Sequence, residues 1–123
     1  MISKMTIFVS SIVLLSLDLV FLSLMTSFFN KQIQAIQYSP IKINYIGAII
    51  SYFFIILGLN YFILSKQNSS LLDAFILGLS VYGVYEGTNY ALFKKWHPTT
   101  VIIDTIWGGI LYMLTTYITR KII

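Results

Sequence analysis

Apolar residues fall in four long blocks along this chain, at about 5–29, 43–65, 71–93 and 99–119, with short polar breaks between them. None alternates with period two, so the blocks predict helices rather than the strands of a membrane barrel. Each reaches or exceeds the ~20 residues needed to cross a ~30 Å hydrocarbon core. Short connections make successive helices antiparallel neighbours. The expected fold is all-α: a single domain over 1–123, an integral membrane bundle of four transmembrane helices running up-down-up-down, with both termini on one side. A secretory signal is the other reading of the first block, but the block is too long for a signal core and lacks a small-x-small cleavage site. The breaks carry stop and start signals. Residues after Asn30 can continue the first helix until Pro40 ends it. Ser70 suits the N-cap of the third helix, and Asp73 in its first turn complements the helix dipole as a structural cap.

Composition strengthens the membrane reading. Of 123 residues, 58% are hydrophobic and 10% charged, against about 25% charged in soluble domains. Cysteine is absent, which excludes disulfides and thiol-ligated metals. The net charge of +4 comes from basic residues scattered in ones and twos, without the stripe or aromatic platform of a nucleic-acid binder. They read as anchors flanking the membrane. Lys4, Lys66, Arg120 and Lys121 on one side balance Lys31, Lys42, Lys94 and Lys95 on the other, so charge assigns no orientation.

The acids lie elsewhere. Asp18, Asp73, Glu86 and Asp104 all fall inside or at the edge of apolar blocks, where an ionisable group costs about 2.5–3.5 kcal/mol to insert. At 1.5 Å per residue, Glu86 lies roughly 10 Å from the third block's end, Asp104 roughly 8 Å into the fourth, and Asp18 roughly 16 Å from Phe29. Three carboxylates on three helices thus share the middle and one half of the bilayer, and satisfy themselves only by turning toward each other. Leu79, Tyr82, Glu86 and Asn89 share one face of the third helix, beside a small-residue strip of Ser80, Gly83, Gly87 and Ala91 suited to close helix approach. Thr100, Asp104, Trp107 and Gly108 share a face of the fourth helix, and Ser11, Asp18 and Thr26 line up on the first.

The candidate site is therefore Asp18, Glu86 and Asp104, with Asn89, Thr88 and Tyr82 orienting the cluster and Trp107 walling it from lipid. One reading is a hydrogen-bonded knot that fixes helix register; the other is a proton or cation site, since two carboxylates held close in low dielectric cannot both stay charged. The preferred function is proton or cation translocation, as channel or transporter. The alternatives are a structural or assembly protein, and a membrane-embedded enzyme acting on a lipid-like substrate with Glu86 or Asp104 as acid–base. His97, the only histidine, reads as a loop anchor, and no metal ligand set is assigned. No nucleophile elbow, phosphate loop or zinc motif is present, and no cofactor is expected. The tyrosines suit an interface belt and helix packing. Expected partners are the bilayer and a proton or small cation. Gly47-x-x-x-Ser51 and Gly83-x-x-x-Gly87 would serve contacts within a chain or in a homo-oligomer.

Several motifs carry a resemblance. Asp18-Leu19-Val20-Phe21-Leu22, Tyr82-x-x-Tyr85-Glu86-x-Thr88-Asn89-x-Ala91, Trp96 and Asp104-x-x-Trp107-Gly108 resemble the small predicted membrane proteins of domain-of-unknown-function family 2177, over essentially the whole chain. That family usually has Asp at the position of Glu86 and a Trp near Phe21. The resemblance implies a four-helix membrane fold and points to Asp18, Glu86, Thr88, Asn89, Asp104 and Trp107 as the shared site. It implies no activity.

Overall fold

The computed structural model describes residues 3–38 and 43–123, and these form four helical rods. Helix α1 spans Lys4–Gln37, 34 residues, or about 51 Å at 1.5 Å per residue. Ser3 caps its start by accepting the Thr6 amide at 3.0 Å. The polar tail after Asn30 stays helical, and the helix stops at Tyr38, whose φ of 60° puts it in the left-handed conformation common just past helix ends. The expected stop at Pro40 and the anchoring charge of Lys42 lie outside the described residues.

Helix α2 covers Tyr45–Leu59, capped by Asn44, and runs without a break into a π-helical turn at Asn60–Leu64. Asn60 sits at the junction. Its side-chain amide donates to Ser10 Oγ at 3.0 Å and to the Ile56 carbonyl at 2.9 Å, which ties the widened turn to α1. The uniform helix expected over 43–65 is thus interrupted at a polar residue that bonds outside its own helix. Helix α3 is Leu71–Leu92, opened by a complete capping box: the Ser70 hydroxyl accepts the Asp73 amide while the Asp73 carboxylate accepts the Ser70 amide. The structural role expected of these two residues is met. Helix α4, Pro98–Ile122, begins with proline at its first turn, where the missing N–H costs no helical hydrogen bond.

The pairings run antiparallel. Ser10 meets Asn60 and Asp18 meets Tyr52 between α1 and α2. Gln32 meets Thr100 and Asp18 meets Trp107 between α1 and α4. Helices α3 and α4 pack most closely, because glycine is placed where they cross. A Cβ on Gly78 would collide with the Gly108 carbonyl and the Tyr112 ring, and one on Gly108 with the Tyr82 ring. The strip expected to serve this contact does so only in part. Gly83 lies 3.6 Å from Thr105 when given a Cβ, whereas Gly87 faces open space and Ser80 and Ala91 are exposed. The core of Leu14, Leu59, Ile63, Ala74, Leu111 and Tyr112 gathers toward the end of the bundle opposite the α3–α4 connection.

The order around the bundle is α2–α1–α4–α3. Consecutive α2 and α3 make few close approaches, so not every successive pair packs as neighbours, and a gap opens between these two. Three helices are long and apolar enough to cross a membrane: α1, α4 and the continuous rod Tyr45–Leu64. Helix α3 has the length but falls outside that set, because Asp73, Glu86, Thr88, Asn89 and three tyrosines dilute its apolar residues.

Candidate functional site

The gap between α2 and α3 leads into a cavity of about 730 Å³ to which all four helices contribute. Its lining is largely aliphatic and aromatic, and it contains Asp18, Glu86 and Asp104. The helices deliver these acids from different sides. Asp18 stands mid-way along α1, while Glu86 and Asp104 are each six residues, about 9 Å, from the facing ends of α3 and α4.

Asp18 is 5% exposed and is held by two donors. The Tyr52 hydroxyl donates to Oδ2, and Trp107 Nε1 donates to Oδ1 at 2.9 Å. The Trp107 indole is fixed in turn by stacking on Phe21, centroids 4.5 Å apart and planes 2° from parallel. One carboxylate thereby pins three helices together. Glu86, 2% exposed, accepts from Trp96 Nε1 at 2.8 Å. Trp96 reaches back from the α3–α4 connection and is itself buried. Asp104 shares the cavity lining with Glu86 and Asp18, each delivered by a different helix. Two carboxyls can bond to each other only when one carries a proton. Every lysine and arginine among the described residues lies in a terminal turn, a connection or the polar extension of α1, so no basic side chain stands at the acids' depth.

Four of the seven expected residues, Asp18, Glu86, Asp104 and Tyr82, line this cavity, and a fifth, Trp107, bonds Asp18 without being part of the lining. Tyr82 lines it, with its ring over Gly108 and both Asp18 and Asp104 near its hydroxyl. The remaining two, Thr88 and Asn89, do not line the cavity. Thr88 is exposed and donates to the Val84 carbonyl at 2.6 Å; two residues on from Glu86, it is turned about 200° around the helix. Ser11 and Thr26 likewise bond carbonyls of their own helix, Ile7 and Leu22, rather than joining Asp18. Trp107 does more than wall the site, since its N–H holds Asp18.

Sequence reasoning missed three residues. Tyr52 stands on a helix with no acid, so nothing marked it from the other interfacial tyrosines. Trp96 is among the residues that carry the resemblance but not among those expected at the site, although an indole N–H ten residues from a buried carboxylate across a short turn was a usable signal. Gln32 is 3% exposed in the polar tail of α1. Its Nε2 donates to the Lys95 carbonyl at 2.6 Å, and its Oε1 accepts the His97 amide and the Thr100 hydroxyl, both at 2.9 Å. Gln32 thus holds the α3–α4 connection that carries Trp96. At the opposite end Arg120 does similar work, donating to the Ser69 carbonyl at 2.8 Å and to Ser69 Oγ at 2.7 Å.

Among the described residues, no three histidine or acidic groups converge closely enough to hold a metal ion. A family model described as "Predicted membrane protein (DUF2177)" matches residues 4–120. No curated protein and no solved structure matches the chain.

Proposed function

The chain belongs to the DUF2177 family of predicted membrane proteins, and from the chemistry of its cavity we propose that it is a proton-exchanging membrane translocator. Four helices cross the bilayer, α3 among them. Helix α3 is the least apolar because it carries the site, and its polar side chains at Tyr82 and Glu86 turn toward the cavity rather than the lipid. The observation that carries the proposal is the convergence of Asp18, Glu86 and Asp104 on one cavity whose lining holds no basic side chain. With no cation to neutralise them, a shared proton is the simplest way to keep the Glu86 and Asp104 carboxyls together in a low dielectric. Trp96 steadies the charged form of Glu86 by donating to the oxygen Oε1.

Asp18 has a different part. Both of its oxygens are engaged by Tyr52 and Trp107, which supports a packing role for this acid and divides the cluster into a structural half and an exchanging half. A proton suits the Glu86–Asp104 pair better than a chelated metal ion, which would need more oxygens around one point.

The experiment is flux in proteoliposomes under an imposed pH gradient. The wild type should carry protons, and Glu86→Gln together with Asp104→Asn should abolish the flux while keeping most of the hydrogen bonding. Equal flux through the double variant, or none through the wild type, would return the pair to a structural role.

A further inference from the structure

We infer that the cleft between α2 and α3 binds an amphiphilic organic cation, one ammonium on an apolar body, taken sideways from the bilayer. This deepens the proposed function and rests on Glu86 and Asp104 holding an exchangeable proton. Three features of the molecule lead to it.

The first is the opening. Side-chain hydrogen bonds fasten α1 to α2 and α1 to α4, and glycines close α3 onto α4. Of the neighbouring pairs in the order α2–α1–α4–α3, α2 and α3 make the fewest close approaches, so the open side faces the apolar phase. The second is size and lining. A cavity of about 730 Å³ lies within the ~300–1,000 Å³ range of small-molecule sites. Leu22, Phe29, Phe54, Ile55, Leu77 and Val81 give most of it an apolar wall.

Charge is the third feature, and it selects the occupant. The titratable groups sharing the cavity are Asp18 on α1, Tyr52 on α2, Tyr82, Tyr85 and Glu86 on α3, and Asp104 and Tyr112 on α4. None is basic. An anionic head would face three carboxyl groups, and a neutral one would leave their charge uncompensated. An ammonium meets acceptors at Glu86 and Asp104 and tyrosine rings, a pairing that cation–π attraction strengthens. Since the cation and the proton neutralise the same pair, binding one displaces the other.

The test uses the full chain in phosphatidylcholine nanodiscs, with dodecyltrimethylammonium as probe because its charge is fixed at every pH. The readout is intrinsic fluorescence, since the protein's two tryptophans are Trp96 and Trp107, each bonded to one of the buried acids. The expected result is saturable binding that weakens by about tenfold per pH unit once the pair is protonated, as competition for one proton requires. Dodecanol and dodecyl sulfate should not saturate the site. A Cβ at Gly58, which lines the cleft, meets nothing within 4 Å. Gly58→Leu should therefore fold and block the probe while leaving the pH titration of the tryptophans intact. Glu86→Gln with Asp104→Asn should remove both signals. Equal binding of dodecanol, or undiminished probe binding in Gly58→Leu, overturns the inference while an intact pH titration preserves the proton reading. Fluorescence and probe binding that both ignore pH would overturn the proton reading itself.

Discussion

Trp96 shows how much depends on one hydrogen-bond donor. Its indole N–H donates to a glutamate only 2% exposed, and an orphaned buried acceptor costs about 1–3 kcal/mol. Trp96→Phe keeps the ring and removes the donor, so a fall in thermal stability of that size is expected in detergent or nanodiscs. Trp96→His, able to donate again, should recover part of it. Gln32→Leu should act at the same place without touching an acid. It strands the His97 amide and the Thr100 hydroxyl, so limited proteolysis should find the 93–97 connection newly accessible; unchanged resistance would mean other contacts hold that turn. The acids themselves were legible in the sequence because a charge in an apolar block is conspicuous. Their partners were not. Tyr52, Trp96 and Gln32 are residue types common near membrane surfaces, and only the three-dimensional pairing separates a donor from an anchor.

Among the helices, the closest contact is set by what is missing from α3 and α4. Gly78 and Gly108 meet backbone or ring atoms at distances that leave no room for a methyl group. Gly78→Ala and Gly108→Ala should each destabilise the fold by about 1–3 kcal/mol through overpacking. Gly87→Ala faces open space and should be neutral or stabilise by up to about 1 kcal/mol, the helix propensity difference. Unfolding midpoints of the three variants in one detergent decide the matter; equal loss in all three would mean that α3 and α4 do not cross where described. Helix positions were largely readable from the apolar blocks, the Ser70–Asp73 pair and Pro98. Which glycines lie in the crossing was not, because Gly78, Gly83 and Gly87 look equivalent in one dimension and differ only in rotation about the helix. The π turn at Asn60 was hidden for a similar reason: its cause, Ser10, is fifty residues away.

For the whole molecule, the proposed four crossings place both termini on one side. Cysteines introduced at Lys4 and Arg120 should then be labelled from the same face and one at Lys94 from the other, a clean assay in a chain without native cysteine. Labelling of Lys4 and Arg120 from opposite faces would remove the arrangement. The cavity draws on all four helices of a single chain, so the proposed exchange does not require the homo-oligomer that the small-residue motifs at Gly47 and Gly83 would serve. Mass photometry of the reconstituted protein alongside the flux assay would show whether single copies are active. One consequence follows from the way α2 is attached. Among the described residues, side-chain bonds join it to α1 at Tyr52, near the middle of the rod, and at Asn60, towards its C-terminal end, while the stretch 45–51 runs on past the last fastening with mostly exposed side chains. A rod clamped at one end and free at the other is a door leaf. The fastenings on α1 are Ser10 and Asp18, so the free leaf is the stretch 45–51, whose Ser51 borders the cavity.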